Sequence, residues 1–423
     1  MFTGKFPAWK RWENYGWQLK RFKKIHGGFF MKEVVILGSS RTPIGDYMGS
    51  LSSVSAVELG IITAKSAMEK AGIKPEQVDE LIAGNCLQAG NRGNTGRQIA
   101  LGSGCRVESV SCTVTQLCPA SMRATEIASQ QIMLGKNDIE VVVGIESMSN
   151  APYMSLGARK GLRMGDQPFV DHMLHDALID AFNNYHMGIT AENLAEKYNV
   201  TREEQDEWAY MSHTRAAAAI RNGEFKAEIV PVPVKSRKGD VLVDTDEHPR
   251  ADISMESLAK MKPAFKKDGT VTAGNASGLN DGGAAIVLAS AEKAKEMGLK
   301  PLARIVSTAS AGVDPKIMGF GVVPAVQKAL KFAGLKMSDI GIWELNEAFA
   351  AQIIACNREL KIDKEIINVN GSGISLGHPV GQTGARIIIT LLHIMQKRNI
   401  RYGCASLCAG GGPGAATIIE LIK

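Results

Sequence analysis

The chain repeats itself, and the two copies differ in length. The run Ala67-Met-Glu-Lys-Ala-Gly-Ile-Lys74 returns 262 residues later as Ala329-Leu-Lys-Phe-Ala-Gly-Leu-Lys336. Each reads as a helix end stopped by glycine, followed by an apolar strand that starts near Val78 or Ile340. At nearly the same spacing Gly84-Asn85 falls opposite Leu345-Asn346, Cys118-Pro119 opposite His378-Pro379, and Val141–Gly144 opposite Cys404–Cys408. The last shared element, Gly283–Leu288 against Gly414–Leu421, is offset by only 131. The first copy therefore carries an insertion, at roughly 151–275. Apolar runs alternating with helical stretches predict βαβ units and mainly parallel sheets. The expected fold class is α/β with duplicated βαβ-type halves. The N-terminal half takes 31–150 with 276–300, the C-terminal half takes 301–423, and 151–275 is an inserted loop domain with helical patterns at 190–222 and 254–261. Two such halves bring equivalent loops to a shared centre.

The formal charge of +6 misleads. Residues 1–30 hold seven Lys or Arg and one acid, Glu13, so the rest is balanced at 42 basic and 42 acidic residues. A balanced body lacks the electrostatic footprint of a nucleic-acid binder. No apolar stretch is long enough to span a bilayer. Residues 1–30 lack the apolar core of a signal peptide. They read as an upstream extension, with the natural start at Met31, where Lys-Glu-Val-Val-Ile-Leu-Gly begins a strand; the alternative is a transit peptide to an organelle matrix. The cysteines are seven, an odd number without Cys-x-x-Cys spacing. That pattern opposes a disulfide framework or a zinc ribbon and fits a reducing, cytoplasmic compartment.

Four residues carry chemistry. Cys118 stands directly before Pro119, and Pro is favoured at the first position of a helix. A cysteine at the positive end of a helix is expected to have a lowered thiol pKa. His378, in Gly-His-Pro, is a base in a matching setting. Cys408 ends a strand and enters Ala-Gly-Gly-Gly-Pro-Gly414, a loop whose backbone N–H groups, Gly410 among them, can face an oxyanion. Asn346, in Glu344-Leu-Asn-Glu-Ala-Phe349, is a neutral donor for a water or an oxygen. Each has a bland reading alone, since free cysteine is most often a small buried hydrophobe. Together they suggest covalent acyl chemistry on sulfur.

These residues, in this order, resemble the thiolase superfamily, most closely its biosynthetic type. The resemblance runs from about Met31 to Lys423. It includes Arg41-Thr-Pro-Ile-Gly45, His186-Met-Gly-Ile-Thr-Ala-Glu-Asn193 and Gly274-Asn-Ala-Ser-Gly-Leu-Asn-Asp-Gly282. Asn-Glu-Ala-Phe, Gly-His-Pro and Cys-x-Gly-Gly-Gly in sequence are a specific set, although any one alone is weak. The resemblance implies a five-layered αβαβα fold and Claisen condensation of two acetyl-CoA to acetoacetyl-CoA and CoA, or the reverse thiolysis. It implies Cys118 as the acylated nucleophile and His378 as its proton acceptor. Cys408 would be the acid/base on the second substrate. Asn346 with His378, and the N–H groups of Cys118 and Gly410, would form two oxyanion holes. It places Leu178, His186, Met187, Arg250, Phe265, Ala273 and Ser277 along the coenzyme, and Met318, Ala348 and Phe349 at the acyl end. It implies no metal and no cofactor beyond the CoA thioester substrate. It also implies a homotetramer in which the apolar segment 148–178 ties two dimers together.

One departure stands beside the nucleophile. Thiolases usually have Asn three residues before the cysteine and Gly-Ser-Gly after it; here Thr115 and Pro119-Ala120-Ser121 take those places. The loop is stiffer and bulkier, and Pro119 steers Cys118 away from helical dihedrals. The rival readings are a longer-chain 3-ketoacyl-CoA thiolase, a hydrolase using Cys118 and His378, and a silent scaffold that binds CoA or a protein. The hydrolase would leave Cys408 and its glycines without a task.

Overall fold

The computed structural model describes residues 31–235 and 239–422, so the extension expected at 1–30 lies outside the described residues. The first half runs β1 (Val34–Arg41), α1 (Ala56–Ala71), β2 (Glu80–Asn85), α2 (Thr95–Gly102), β3 (Val110–Val114), α3 (Ala120–Met133) and β4 (Ile139–Ser147). The inserted segment contributes α4 (Met187–Lys197) and α5 (Arg202–Arg221), and the half closes with β5 (Asn280–Ser290). The second half follows as β6 (Ala303–Gly312), α6 (Val322–Ala333), β7 (Ile342–Leu345), α7 (Ala350–Leu360), α8 (Thr383–Arg398), β8 (Tyr402–Cys408) and β9 (Pro413–Leu421).

The repeated helix ends have one cause. Gly72 after α1 and Gly334 after α6 take left-handed φ values of 68° and 67°, which a side chain makes costly. The 190–222 pattern resolves into two helices. The second is restarted by a capping box in which Thr201 and Glu204 satisfy each other's backbone N–H.

Ten strands form one mixed sheet in the order β7-β8-β9-β6-β1-β5-β4-β2-β3, with the short strand Gly45–Asp46 beside β5. The order is mirrored about the β6–β1 junction, where only Val35↔Arg304 and Ile36↔Ala303 pair. The expectation of mainly parallel pairing is corrected here. Among the named strands of the described residues, parallel pairing joins β2 with β3, β2 with β4, and β7 with β8. Strands β8 and β9 are joined by the short loop 409–412, a connection that only antiparallel neighbours allow, and β5 occupies the equivalent place beside β4. The registers coincide as well: Gly84 pairs with Gly144, and Leu345 with Ser406. By that register Asn85 corresponds to Asn346, and Glu146 to Cys408.

Helices α3 and α8 are sandwiched between the two halves of the sheet. Met122, Ala128 and Ile132 of α3 and Ile387, Leu391 and Met395 of α8 pack with Ile82, Val142 and Ile286 of one half and Ile342, Leu407 and Ile419 of the other. From Thr383 to Leu392 every residue of α8 is buried, the pattern of a helix wrapped by core on all sides. Outside, α1 and α2 cover one face through Ala64, Met68 and Ile99. On the far face α6 and α7 lie beneath Leu194 of α4 and Trp208 of α5. The result is five layers, αβαβα. Each buried Leu or Ile contributes about 1.5–3 kcal/mol relative to exposure.

Arg41 anchors the inserted segment. Its fully buried guanidinium donates two bonds to Asp246, at 2.7 and 2.9 Å, and one to Glu228 at 2.7 Å. The bidentate geometry offsets the desolvation of three charges. In the 148–178 stretch Tyr153, Leu156, Leu162 and Phe169 are exposed, and Met164 is 98% exposed. No helix among the described residues is long and apolar enough to cross a membrane.

Candidate active site

Cys118 lies in the turn between β3 and α3. The turn is made without glycine: Leu117 takes the left-handed conformation, φ 54°, directly before the cysteine. Such a conformation in a leucine is strained, by about 1–3 kcal/mol, and is held by its surroundings. Pro119 occupies the N-cap of α3, not the first helical position that the sequence suggests, and Ala120 N–H donates to Leu117 O at 2.9 Å. Ser121, fully buried, reaches across to α8: Ala385 N–H donates to its Oγ at 2.8 Å, and its hydroxyl donates to Gln382 O at 3.2 Å. The loops bearing Cys118 and His378 are thereby tied together.

His378 precedes α8 through a turn at 380–382. Its backbone N–H donates to Asn280 Oδ1 at 2.9 Å, and its Nδ1 lies 2.7 Å from Thr383 Oγ1. Its Nε2 has no hydrogen-bond partner. Three residues on, Gly381 N–H donates to Glu146 at 2.8 Å. Glu146 also accepts from Asn85 Nδ2 and the N–H groups of Cys86 and Leu87. Burial raises this carboxyl to about 7, opposed by those donors.

A cavity of about 380 Å³ opens between the halves and the inserted segment. Cys118, His378 and Gly410 lie on its wall, with every residue expected along the coenzyme and the acyl end, from Leu178 and His186 to Ala348 and Phe349. His186 stacks on Phe265 at 4.5 Å between ring centroids, and Phe265 meets Phe349 edge-on at 6.0 Å. Gly188 N–H donates to His186 Nδ1 at 3.0 Å, so the neutral ring carries its proton on Nε2, a donor. The sequence reading did not include His248, which also lines the cavity and bonds Asp46 through Nδ1 at 2.5 Å. Gly410 is closely packed: a Cβ there would sit 2.5 Å from Met187 Cε and 2.7 Å from Leu117 Cδ1, and these side-chain ends would have to shift.

Asn346 and Cys408 stand behind this wall. Asn346 is fully buried, and neither atom of its amide has a hydrogen-bond partner. Within the protein the amide thus keeps its hydrogen-bonding capacity unused. Cys408 ends β8 and is 1% exposed. Glu347, next to Asn346 in the chain, accepts from Trp208, Ser212 and Asn368 and so fastens α5 to the second half.

The electrostatics correct one expectation. Burial pushes the Cys118 thiol up to about 12, against the N–H groups of Gly410 and of Cys118 itself. The Cys118 N–H beside the helix start does pull the value down, but desolvation of the thiolate outweighs it. Burial, with Arg386 nearby, holds His378 down to about 3. The resting pair is therefore thiol and neutral imidazole. Burial likewise drives the Cys408 thiol well above its ordinary range. Among the described residues no cluster of three His, Cys, Asp or Glu is disposed to hold a metal ion.

Two family models match this chain end to end: the thiolase N-terminal domain over 34–292 and the thiolase C-terminal domain over 299–421. The chain belongs to the thiolase family. Among thiolases, the acetyl-CoA acetyltransferase of Syntrophomonas wolfei is 50% identical over 397 residues, covering 92% of this chain and 100% of that protein. The acetyl-CoA acetyltransferase of Pseudomonas aeruginosa is 51% identical over 387 residues, 91% of this chain and 98% of that one. The solved S. wolfei structure superposes with a TM-score of 0.91, covering 93% of this chain and 100% of the other. Human mitochondrial 3-ketoacyl-CoA thiolase superposes at 0.90, with 40% identity and coverage of 92% and 99%. The thiolase fold thus persists at 40% identity, while the relatives at half identity or more carry the acetyl-CoA name.

Proposed function

We propose that this thiolase is an acetyl-CoA C-acetyltransferase, joining two acetyl-CoA into acetoacetyl-CoA and CoA, or running the reverse thiolysis. The observation that carries the reading is the presence of Cys118 and an unpartnered His378 Nε2 on one cavity wall, with the Gly410 N–H at the sulfur. The identity of about half with acetyl-CoA acetyltransferases over nine-tenths of the chain favours acetyl over longer acyl groups.

His378 Nε2 takes the thiol proton as the sulfur attacks the thioester carbonyl, so the thiolate never stands free in a site that disfavours it. The N–H groups of Cys118 and Gly410 receive the oxyanion, each such donor being worth roughly 2.7–4 kcal/mol. CoA leaves as the thiol with the proton of Cys408, which is left as the thiolate, while Cys118 keeps the acetyl group and His378 holds the proton it took. The Cys408 thiolate then removes a methyl proton from the second acetyl-CoA. Asn346 and His378 stabilise the enolate, whose carbon attacks the acyl-enzyme, and the freed Cys118 takes its proton back from His378. The chemistry calls for no metal and no cofactor; the CoA thioester is itself the substrate.

The ten cavity residues supply the binding. Arg250 suits a phosphate, Ser277 a pantetheine amide, and Met187, Met318 and Phe265 an apolar arm. The exposed apolar side chains of 148–178 support a homotetramer, with this segment tying two dimers. Charge balance outside 1–30 supports the absence of a nucleic-acid partner, and seven cysteines without Cys-x-x-Cys spacing support a cytoplasmic enzyme.

Thiolysis of acetoacetyl-CoA, compared with longer 3-ketoacyl-CoAs, tests the reading. Acetoacetyl-CoA should be preferred, and Cys408→Ala should still form acetyl-enzyme while losing condensation. Preference for long chains, or condensation by Cys408→Ala at the normal rate, overturns it.

A further inference from the structure

We infer that Thr383 fixes the tautomer of His378 and so keeps the Nε2 lone pair free for the nucleophile. The inference rests on the reading of His378 as proton acceptor.

The hydroxyl of Thr383 has one proton. Its Oγ1 lies 2.9 Å from Pro379 O, which can only accept, so the proton goes there. Toward His378 Nδ1, 2.7 Å away, Oγ1 then offers only a lone pair. Nδ1 must carry the ring hydrogen. A neutral imidazole has one, so Nε2 is left bare.

The opposite tautomer fails on its own account. It would put an N–H on Nε2, where no acceptor lies within reach, and a buried N–H without a partner is costlier and rarer than an idle lone pair. When Nε2 takes up a proton during catalysis, Nδ1–H keeps Thr383 as its acceptor, so the same contact serves both states of the ring. The arrangement is built into the chain. Thr383 is the first residue of α8, and its backbone N–H also donates to Pro379 O at 3.0 Å. The backbone of His378 is held as well, by the bond from its N–H to Asn280 Oδ1. Thr383 is thus a positioning residue that acts through His378.

The full-length protein is labelled with 15N-histidine, and Thr383→Val, which keeps the shape, is compared with Thr383→Ser, which keeps the acceptor. The spectrum of the unaltered protein should show His378 protonated at Nδ1 and bare at Nε2, by difference from His378→Asn. In acetoacetyl-CoA thiolysis, Thr383→Val should lower kcat by about tenfold or more with KM little changed, and Thr383→Ser should restore most of it. A hydrogen on Nε2 in the unaltered protein, or a Thr383→Val kcat equal to the parent, overturns the inference. If Thr383→Val does not fold, the parent spectrum and Thr383→Ser still decide. An unaltered protein inactive on acetoacetyl-CoA overturns the proposed function instead, while its spectrum still reads the tautomer.

Discussion

Removing the Ser121 hydroxyl should loosen the start of a helix that Ser121 does not belong to. Ala385 is the third residue of α8, so its N–H has no partner within the helix. Gln382, the residue at the N-cap, makes no side-chain cap bond. Ser121 supplies that cap from α3 and returns its own proton to Gln382 O. An N-cap hydroxyl is worth about 0.5–2 kcal/mol. Both groups are buried; Gln382 O keeps the N–H of Arg386, but Ser121→Ala leaves the Ala385 N–H unpaired, which moves the cost toward about 2 kcal/mol. The surroundings cannot close over the loss by sliding. A Cβ on Gly84 would lie 2.3 Å from Ser121 N, and one on Gly144 would lie 2.7 Å from Ser121 Oγ, so the helix already sits in glycine contact with two strands. In urea denaturation Ser121→Ala should lower the midpoint at unchanged slope, by an amount equivalent to about thirtyfold in the unfolding equilibrium. Ser121→Gly should cost more, by about a further 1 kcal/mol of helix propensity. An Ala variant with the parent's midpoint would refute the cap.

Alkylation of Cys118 by iodoacetamide should rise steadily from pH 6 to 9 without levelling, because the reactive thiolate is a small fraction below a pKa of about 12. A plateau near neutrality would show that the helix end prevails over burial, and acetyl-CoA should protect the residue in either case. Light scattering should give a tetramer mass that falls to a dimer when 153–164 is replaced by a short Gly-Ser linker; a dimer mass for the unaltered chain removes the tie.

The duplication was legible because it leaves a mark that burial cannot hide: two glycines in the same left-handed conformation at equivalent helix ends. The chemical residues were legible because Cys, His and Asn beside Pro and Gly are rare enough to notice. What escaped were polar residues of ordinary type whose partners are far away in the chain. Ser121 meets Gln382 across 261 residues, and Asn280 holds His378 across 98, so neither spacing carries a local signal. Thr383 is different: five residues after His378, in a turn, it was within reach of a local argument. The parallel bias was misjudged because alternating strands and helices do not say where the last strand of each half inserts. The helix start beside Cys118 can be read from sequence, whereas the desolvation that opposes it depends on packing.

The shared register of the two halves bears on how such a site can arise. In the first half, Asn85 and Glu146 seal each other at 2.8 Å. At the equivalent places in the second half stand Asn346 and Cys408, where the carboxylate is gone and the amide is left open. A doubled ancestor would have begun with one residue type at both places. With carboxylates in both, each amide would be sealed and neither could meet a ligand. With cysteine at the equivalent place, the amide of the second half lacks that partner, at a cost of about 1–3 kcal/mol for its unpaired groups. A carboxylate at position 408 is therefore expected to seal Asn346 as Glu146 seals Asn85.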